Sequence, residues 1–495
     1  MSIKKSEFDA YAASGYNRIP LVREVLADLD TPLSTYIKLA GGEYSYLFES
    51  VSGSEKASRY SIIGLSARSL FRAAGHQVEI VEDGEIVESL TAADPLQAVR
   101  EYQQRFKAPD IEGLPRFAGG LVGYFAYDII RYIEPNLGEN QHPDPLQSPD
   151  ILLMVSDEIL IFDKLKGRLF IVINVDPAEN GSWESGQQRI EQLIRQLDQP
   201  LSHQSRASGT EVSEEDFHSG FSKQGYMDAV ERAREYIRAG DIMQVVLSQR
   251  MTIPYESDPL DLYRALRTLN PSPYMYYINL GDFQVVGSSP EILVQVESSE
   301  ATVRPIAGTR PRGGSEEEDV ALEKDLMNDP KELAEHLMLV DLGRNDLGRI
   351  AEIGSVKLTD RMVIERYSHV MHIVSNVVCD IRQEFDAIDV LKATFPAGTV
   401  SGAPKIRAME IIDELEPVKR GVYSGAVGYL GWNGNMDTAI AIRTSVIKGG
   451  MLNIQVGAGI VADSQPEMEW EETLNKGRAT FRAVAMATGG FRQLS

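Results

Sequence analysis

Short apolar runs between turn residues dominate the first 200 positions of the chain. β-branched and aromatic residues are common in these runs, and Gly, Asp, Asn and Ser are common between them, which is the pattern of β-strands. The predicted strands are 44–50, 60–64, 78–81, 151–155 and 168–174. Apolar residues at helical spacing predict helices at 20–40, 94–106 and 183–198.

After position 217 the helical spacing of apolar residues extends over longer stretches. The stretch 223–239 is amphipathic and is followed by Gly240, a residue type that commonly ends helices. Further helices are predicted at 331–343, 386–394, 404–415 and 467–487, and strands at 244–249, 274–280, 284–288 and 451–456, with a hairpin within 423–447. Strands grouped apart from helices indicate an α+β fold. We expect large, mostly antiparallel sheets with helices packed outside and two intertwined domains.

A polar stretch rich in Ser, Gln and Thr separates the two patterns. It predicts a linker at 201–216 between an N-terminal domain at 1–200 and a second domain at 217–491.

Charge narrows the range of partners. The 495 residues include 49 Lys and Arg against 73 Asp and Glu, a net charge of −24. Such an excess of negative charge disfavours nucleic acid as a binding partner. An anionic ligand would need local positive charge inside a cleft. No apolar run is long enough to span a bilayer, and the first residues lack the apolar core of a signal peptide. We therefore expect a cytoplasmic protein without a membrane partner.

Cys379 is the single cysteine of the sequence, which excludes an internal disulfide and a metal site built from cysteines. It lies in Val-Val-Cys-Asp-Ile and lacks the Gly-x-Cys-x-Gly turn of a glutaminase nucleophile. We expect Cys379 to be a buried core residue, so that the chain does not itself release ammonia from glutamine.

Two pairs of glutamates have the spacing of one helix face. Glu332 and Glu335 form the first pair, and Glu469 and Glu472 form the second, followed one turn later by Lys476. Mg²⁺ takes one or two protein carboxylates and completes its coordination with water and ligand oxygens. Two such faces directed at one cleft predict a magnesium site, although either pair alone is more typical of a solvated acidic surface.

The segment Phe395-Pro-Ala-Gly-Thr-Val-Ser-Gly-Ala-Pro-Lys405 combines a glycine-rich turn with a basic residue. Pro404 is predicted at the first position of the helix that follows. The spacing differs from that of a P-loop and no Gly-Lys-Ser/Thr follows, which excludes nucleoside triphosphate binding at this turn.

Arg443 lies in an apolar run, 437–444, that predicts a strand. A buried arginine needs an anionic partner, either a structural acid or a bound anion. A second glycine-rich feature, Gly457-Ala458-Gly459, ends another predicted strand, where glycine lets backbone N–H groups approach a ligand closely.

The order of these motifs over 217–491 resembles the chorismate-utilising enzymes. The matching segments are 305–313, 335–346, 368–372, 399–405, 423–429, 443, 457–459 and 469–476. Finer positions narrow the resemblance to the anthranilate synthase component I class, and Leu-Phe-Glu-Ser at 47–50 resembles its N-terminal regulatory region more loosely. The resemblance implies a magnesium-dependent lyase that converts chorismate and ammonia to anthranilate and pyruvate, the first committed step of tryptophan biosynthesis.

The resemblance also implies a role for each matching residue. Glu335 and Glu472 would bind Mg²⁺, with Glu332 and Glu469 in its water shell. The substrate would be held by Tyr423, Arg443, Gly457, Ala458, Gly459 and Lys476. Glu291 would protonate the departing C4 hydroxyl, because hydroxide is a poor leaving group. The other catalytic positions are His372 and Thr399, beside the ring and the pyruvate side, and Gln244, beside the incoming ammonia.

Two positions separate this reaction from those of related enzymes. Relatives that add water carry a lysine base where this chain has Gln244, and glutamine cannot deprotonate water but can orient ammonia. Many aminodeoxychorismate synthases carry a nucleophilic lysine where this chain has Ala307, and alanine has no nucleophile. The alternatives are aminodeoxychorismate synthase component I and a non-catalytic tryptophan-binding paralogue, which would need no general acid at Glu291.

Partners and feedback regulation are further implications of the resemblance. Ammonia would come from a separate glutamine amidotransferase subunit, anthranilate synthase component II, in a hetero-oligomer of two copies of each subunit. L-Tryptophan would inhibit from a pocket apart from the chorismate cleft, with Asn270-Pro-Ser-Pro-Tyr-Met-Tyr276 as one wall. The residues expected there are Glu49, Ser50, Pro273, Met275, Tyr276, Val427 and Tyr429. The alternative is that they form only a packed seam between the domains.

Overall fold

The computed structural model describes residues 3–51, 59–139, 141–202, 209, 211–367 and 370–491. Within these ranges the strands are β1 Ile19–Leu26, β2 Ser45–Glu49, β3 Tyr60–Gly64, β4 Ser69–Ala74, β5 Gln77–Glu82, β6 Glu85–Thr91, β7 Gly120–Phe125, β8 Ile151–Ser156, β9 Glu158–Asp163, β10 Arg168–Val175, β11 His218–Ser219, β12 Gln244–Pro254, β13 Tyr274–Asn279, β14 Phe283–Ser289, β15 Ile292–Glu297, β16 Glu300–Val303, β17 Ile306–Pro311, β18 Lys357–Arg366, β19 Val370–Asp380, β20 Gly402–Ala403, β21 Ala426–Gly431, β22 Met436–Ile440, β23 Thr444–Lys448 and β24 Met451–Ile460.

The α-helices of the same ranges are α1 Lys5–Ala13, α2 Pro32–Leu39, α3 Pro95–Gln103, α4 Ile130–Ile133, α5 Ser182–Leu197, α6 Lys223–Ala239, α7 Pro259–Leu269, α8 Glu316–Met327, α9 Pro330–Gly348, α10 Ala387–Thr394, α11 Lys405–Leu415 and α12 Pro466–Gly489. Across the described ranges, none of the helices combines the length and apolar content needed to cross a membrane.

The strands form two antiparallel sheets, each of twelve strands in the described part of the chain. The first has the order β1-β10-β9-β3-β2-β13-β14-β23-β24-β12-β11, with β20 on β12. The second has the order β17-β19-β16-β15-β22-β21-β7-β8-β4-β5-β6, with β18 on β19. The expected α+β fold with large antiparallel sheets is confirmed.

Each sheet joins strands from before and after the predicted linker. The junctions are β2 with β13 in the first sheet and β7 with β21 in the second. The two halves of the chain are therefore intertwined, as expected. The boundary at 201–216 stays a prediction, because residues 203–208 and 210 lie outside the described residues.

Apolar clusters define the layers. One core lies between the sheets and contains Tyr276 of the first and Val427 of the second. On the outer face of the first sheet, Phe481 of α12 belongs to a second core, and on the outer face of the second sheet, Leu391 of α10 belongs to a third. Burial of these side chains fixes the sheets face to face with helices outside.

The first half of the helix predicted at 20–40 is wrong. Ile19–Leu26 is a strand that pairs along its whole length with Arg168–Val175, which is buried at all but its first position. Cross-strand packing against this partner outweighs the helical spacing of the apolar residues. The second half of the prediction is confirmed, since Pro32–Leu39 is a helix capped by Thr31.

Candidate active site

Helices α9 and α12 bring the two glutamate pairs into one electrostatic group. Burial raises the pKa of Glu335, and the charge of Glu332 on the same helix raises it further. Lys476 and Glu472, both on α12, also act on Glu335, with Lys476 lowering its pKa and Glu472 raising it. The acids expected to bind metal are therefore neighbours across the two helices.

On α12, Lys476 links the acidic face to the glycine-rich strand. Its Nζ lies 2.8 Å from Glu472 Oε1 and donates to the Gly457 carbonyl oxygen at 2.9 Å. Glu469 is buried on the same helix, and its Oε2 has no hydrogen-bond partner among the described residues. A buried carboxylate oxygen without a donor is suited to a cation or a bound water.

The donor set fits Mg²⁺. Within the described residues, no group of three or more His, Cys, Asp or Glu side chains is arranged to hold a metal by itself. Mg²⁺ needs only one or two carboxylates, with water and substrate oxygens completing an octahedron. Glu335 and Glu472 meet that need. Glu332 lies further aside, since its Oε1 is 3.5 Å from Arg310 Nη1.

Glu291 is a buried acid between β14 and β15. It is 7% exposed, and burial raises the pKa of its carboxyl from 4.5 to about 8, while the Thr399 hydroxyl and the Arg443 guanidinium act in the opposite direction. The carboxyl is therefore protonated at neutral pH. An acid whose pKa lies near the working pH is suited to general acid catalysis.

Arg443 departs from the predicted strand. It lies in the break between β22 and β23 with φ of 50°, a left-handed conformation that is costly outside glycine and typical of functional sites. Burial lowers the pKa of Arg443, and Glu291 and Tyr367 oppose this shift. No acidic side chain lies within ion-pair distance of Arg443 in the described ranges. A structural ion pair is therefore not its role here.

His372 belongs to the polar group that contains Arg443. Its Nδ1 lies 3.0 Å from the Gly308 carbonyl oxygen and 3.1 Å from Thr309 Oγ1. Because a carbonyl oxygen only accepts, Nδ1 carries the proton. Burial lowers the pKa of His372, so the ring is neutral and Nε2 is left as an acceptor. The first two residues of the motif at 368–372 lie outside the described residues.

Two glycines of β24 make room for side chains above the strand. A Cβ on Gly457 would lie 2.7 Å from the Tyr423 hydroxyl oxygen, and a Cβ on Gly459 would lie 2.6 Å from Gln244 Nε2. Any larger residue would displace these groups. The predicted glycine-rich segment, Tyr423 and Gln244 are thus brought together by close packing.

The glycine-rich turn differs from the prediction in two details. Pro404 is the N-cap of α11, which begins at Lys405, so proline precedes the first helical position. The Lys405 ammonium pairs with Asp346 at 2.8 Å and also donates to the Thr394 carbonyl oxygen. Its charge is neutralised locally, so the turn contributes the hydroxyl of Thr399 to the site but no free cation.

The residues expected to bind tryptophan are divided between two cores. Met275 belongs to the outer core of the first sheet, whereas Tyr276, Val427 and Tyr429 belong to the core between the sheets. The carboxylate of Glu49 accepts hydrogen bonds from Tyr263 at 2.5 Å and Arg267 at 2.9 Å. These contacts occupy the carboxylate of Glu49, so it is not free to bind the amino group of tryptophan.

Ser50 and Pro273 complete the predicted set. Ser50, immediately after β2, is buried, and its carbonyl oxygen accepts a hydrogen bond from the Lys164 ammonium at 2.5 Å. Pro273 lies directly before β13 and is half-buried. Both lie at the ends of the paired strands β2 and β13.

Comparison with known proteins decides the family. Residues 45–482 match the family model described as chorismate binding enzyme. The chain belongs to this family. Over 487 residues, 98% of this chain and 99% of the relative, it is 60% identical to anthranilate synthase component 1 of Pseudomonas putida. The predicted family is confirmed.

Solved structures agree with this assignment. Anthranilate synthase component I from Streptococcus pneumoniae superposes with a TM-score of 0.76 at 37% identity, covering 92% of this chain and 99% of that one. The menaquinone-specific isochorismate synthase of Escherichia coli superposes with a TM-score of 0.70 at 18% identity, covering 97% and 98%. The second likeness shows only that the fold is shared.

Several residues of the site were not singled out from the sequence. Tyr367 packs edge-on against His372, with ring centroids 5.6 Å apart, and Thr309 contacts the same ring. Both lie within or directly beside the quoted motifs, which could have indicated them. Arg420 and Glu416 pair with each other, and Arg420 contacts the backbone of segments that carry predicted site residues. No local sequence pattern distinguishes these two residues.

Proposed function

We propose that this chain catalyses the magnesium-dependent conversion of chorismate and ammonia to anthranilate, pyruvate and water. The observation that carries the proposal is Glu291, a buried acid that stays protonated at neutral pH beside the unpaired guanidinium of Arg443. Similarity to anthranilate synthase component 1 over almost the whole chain supports the same reaction.

Substrate binding begins with charge. Chorismate carries two carboxylates, and the net charge of the chain is −24, so attraction depends on cations inside the cleft. Arg443 and Tyr423 bind the enolpyruvyl carboxylate, which supplies the anionic partner that the partly buried guanidinium needs. Lys476 binds the ring carboxylate together with backbone N–H groups of 457–459.

Glu335 and Glu472 would hold Mg²⁺ against the ring carboxylate, with Glu332 and Glu469 reaching it through water. When bound, the ion supplies positive charge that offsets the desolvation of the dianion. This assignment is supported by the electrostatic coupling of the two glutamate pairs and by the unpartnered oxygen of Glu469.

In the first chemical step Glu291 donates its proton to the C4 oxygen, which departs as water. Ammonia, oriented by Gln244, forms a bond to C2 while the ring double bonds shift toward C4, and the new ammonium group then loses a proton. In the second step C2 loses its hydrogen as a proton and the C3–O bond breaks. The enolpyruvyl methylene group gains a proton to become pyruvate, and the ring becomes aromatic. His372 Nε2, a neutral acceptor, is our candidate to receive the C2 proton.

The alternative reaction, formation of aminodeoxychorismate through a covalent lysine, is disfavoured by Ala307. This residue lies on β17 opposite Ile373 and offers no nucleophile. The curated relatives, named anthranilate synthase component 1, do not favour the alternative either.

Ammonia must come from outside this chain. Cys379 is 1% exposed and burial raises the pKa of its thiol to about 11, so it is a core residue and not a thiolate nucleophile. The name component 1 of the relatives implies a component 2. We assign to that partner a glutamine amidotransferase activity and expect two copies of each subunit, in the cytoplasm.

The test uses the purified chain alone. Chorismate, Mg²⁺ and an ammonium salt should yield anthranilate, followed by its fluorescence, whereas glutamine in place of ammonium should yield none. Release of 4-aminobenzoate or its precursor would favour the alternative. Binding of tryptophan without any turnover of chorismate would favour the non-catalytic paralogue.

We also propose feedback inhibition by L-tryptophan between the sheets. Because Glu49 is held by Tyr263 and Arg267, a second acid is a better partner for the amino group. Asp437 lies opposite Tyr429 on the neighbouring strand. Its carboxylate accepts hydrogen bonds from the Tyr274 hydroxyl and the Gln295 side-chain amide, which are both neutral donors. Burial raises the pKa of Asp437 to about 6, so the carboxyl is mostly ionised at neutral pH, and an ammonium ligand would stabilise this buried charge.

A further inference from the structure

Arg420 is a buried guanidinium with no part in the reaction outlined above. It is 2% exposed and pairs with Glu416 through two bonds, from Nε to Oε2 at 2.9 Å and from Nη2 to Oε1 at 2.6 Å. Two-point pairing fixes the plane of the guanidinium. The donors that remain are therefore aimed in set directions.

Those donors reach the segments that carry predicted substrate contacts. Nη2 of Arg420 donates to the Val246 carbonyl oxygen at 2.8 Å, two residues beyond Gln244 on β12. Nη1 donates to the Val400 carbonyl oxygen at 2.7 Å, directly after Thr399 in the glycine-rich turn. One side chain thus joins the ammonia side of the site to the turn beside Glu291.

The same guanidinium also reaches the segment of the substrate-binding tyrosine. Nη1 lies 3.4 Å from Ser424 Oγ, and the guanidinium carbon is 5.5 Å from the centroid of the Tyr423 ring. Ser424 has φ of 64°, so the chain turns sharply at this point. Contact with Arg420 therefore constrains where the Tyr423 hydroxyl points over Gly457.

Glu416 ties the pair to the sheet. Its Oε1 accepts from both the backbone N–H and the hydroxyl of Ser248, each at 2.8 Å. Arg250 adds a second anchor, because its guanidinium donates to the carbonyl oxygens of Lys419 and Arg420. With these bonds the loop 416–420 has little freedom relative to β12.

We propose that the Glu416–Arg420 pair is a positioning element, which holds Gln244, Thr399 and Tyr423 at fixed distances from one another. This inference rests on the proposed function, because those three residues are its substrate contacts. Lysine at 420 would keep the charge but present one nitrogen in place of a planar fork, and it could not serve the three segments together. Small misplacements of contacting groups cost about 10²-fold in rate.

The test compares Arg420→Lys with Arg18→Lys in the ammonium-dependent reaction. Arg18 is a matched control, since its half-buried guanidinium pairs with Asp157 at 3.1 Å and Asp176 at 3.4 Å, away from every predicted substrate residue. For Arg420→Lys we expect KM for chorismate to rise about tenfold and kcat to fall about tenfold. For Arg18→Lys we expect only a lower Tm, with both kinetic constants unchanged.

Glu416→Gln provides a milder second variant, because glutamine can still accept from Ser248 but holds Arg420 without charge. It should raise KM by a smaller factor, and it carries the test if Arg420→Lys does not fold. A folded variant of either kind with KM and kcat within twofold of the parent would overturn the proposal. A parent chain without chorismate turnover would instead overturn the proposed function, so the two failures are distinguishable.

Discussion

Glu291→Gln removes an acidic proton while keeping the size and polarity of the side chain. In the proposed reaction the C4 hydroxyl then has no acid to protonate it, and general acid catalysis is worth roughly 10²–10⁴-fold in rate. We expect kcat to fall by about that factor. KM for chorismate should change much less, because Glu291 is not among the residues proposed to bind the carboxylates of chorismate.

The same change should alter the pH dependence of stability. The native carboxyl keeps its proton up to a pKa of about 8, whereas the unfolded carboxyl releases it near 4.5. The unfolded state therefore binds fewer protons between these values, and the parent loses stability as pH rises from 4.5 to 8. At about 1.4 kcal/mol per pH unit, the loss is up to about 5 kcal/mol. Glutamine does not titrate, so the variant should gain on the parent over this interval.

The assay combines steady-state kinetics with denaturant unfolding at pH 5 and pH 8. Glu297→Gln is the control, because Glu297 lies at the end of the following strand, is partly exposed and pairs with Arg116 at 2.8 Å. It should leave kcat unchanged and show no comparable gain at pH 8. A Glu291→Gln variant that retains more than about a tenth of parental kcat would refute the general acid role. If the difference in unfolding free energy between the Glu291→Gln variant and the parent is the same at pH 5 and at pH 8, the buried, protonated carboxyl is refuted.

Further outcomes follow from the same structure. Glu335→Gln should lower turnover by about 100-fold or more and leave Tm within a few degrees; near-parental activity at low Mg²⁺ would count against the metal site. With total ammonium fixed, the rate should rise with pH up to about 8 as free ammonia increases and then level off, because deprotonation of Glu291 offsets the further gain in free ammonia; a rate that keeps climbing well beyond this pH contradicts the assignment. Ser50→Phe should relieve tryptophan inhibition at unchanged kcat, and unaltered sensitivity would leave a packed seam as the better explanation. Phe481→Ala should lower the unfolding free energy by about 3–5 kcal/mol, since this ring is 4% exposed and packs on Phe217 at 4.4 Å; a loss below about 1 kcal/mol in denaturant titration would contradict that packing.

Elements with strong local patterns could be predicted from the sequence. The helix at Lys223–Ala239 begins at an N-cap serine and ends at Gly240 in the left-handed conformation, so each boundary has its own local signal. Ile19–Leu26 could not be predicted in this way, because its strand conformation depends on pairing with residues about 150 positions away. Propensity is weak wherever such long-range pairing decides the outcome.

The residues of the candidate site also fall into two groups, those with a local sequence signal and those whose position depends on distant segments. Glu335, Glu472 and Lys476 share spacings that a helix converts directly into proximity, and the structure brings them together. Arg443 was expected on a strand, yet it occupies a break with positive φ, a feature that apolar spacing does not encode. Arg420 had no signal at all, since its importance depends on carbonyl groups from segments remote in sequence.

The most direct test of the central claim is the product formed by the purified chain, without any partner, from chorismate, Mg²⁺ and ammonium. We expect anthranilate and pyruvate in equal amounts, detected by fluorescence and by a coupled pyruvate assay, and neither product when glutamine replaces ammonium. A chain that consumes no chorismate, that releases a para-amino product, or that uses glutamine unaided would contradict it.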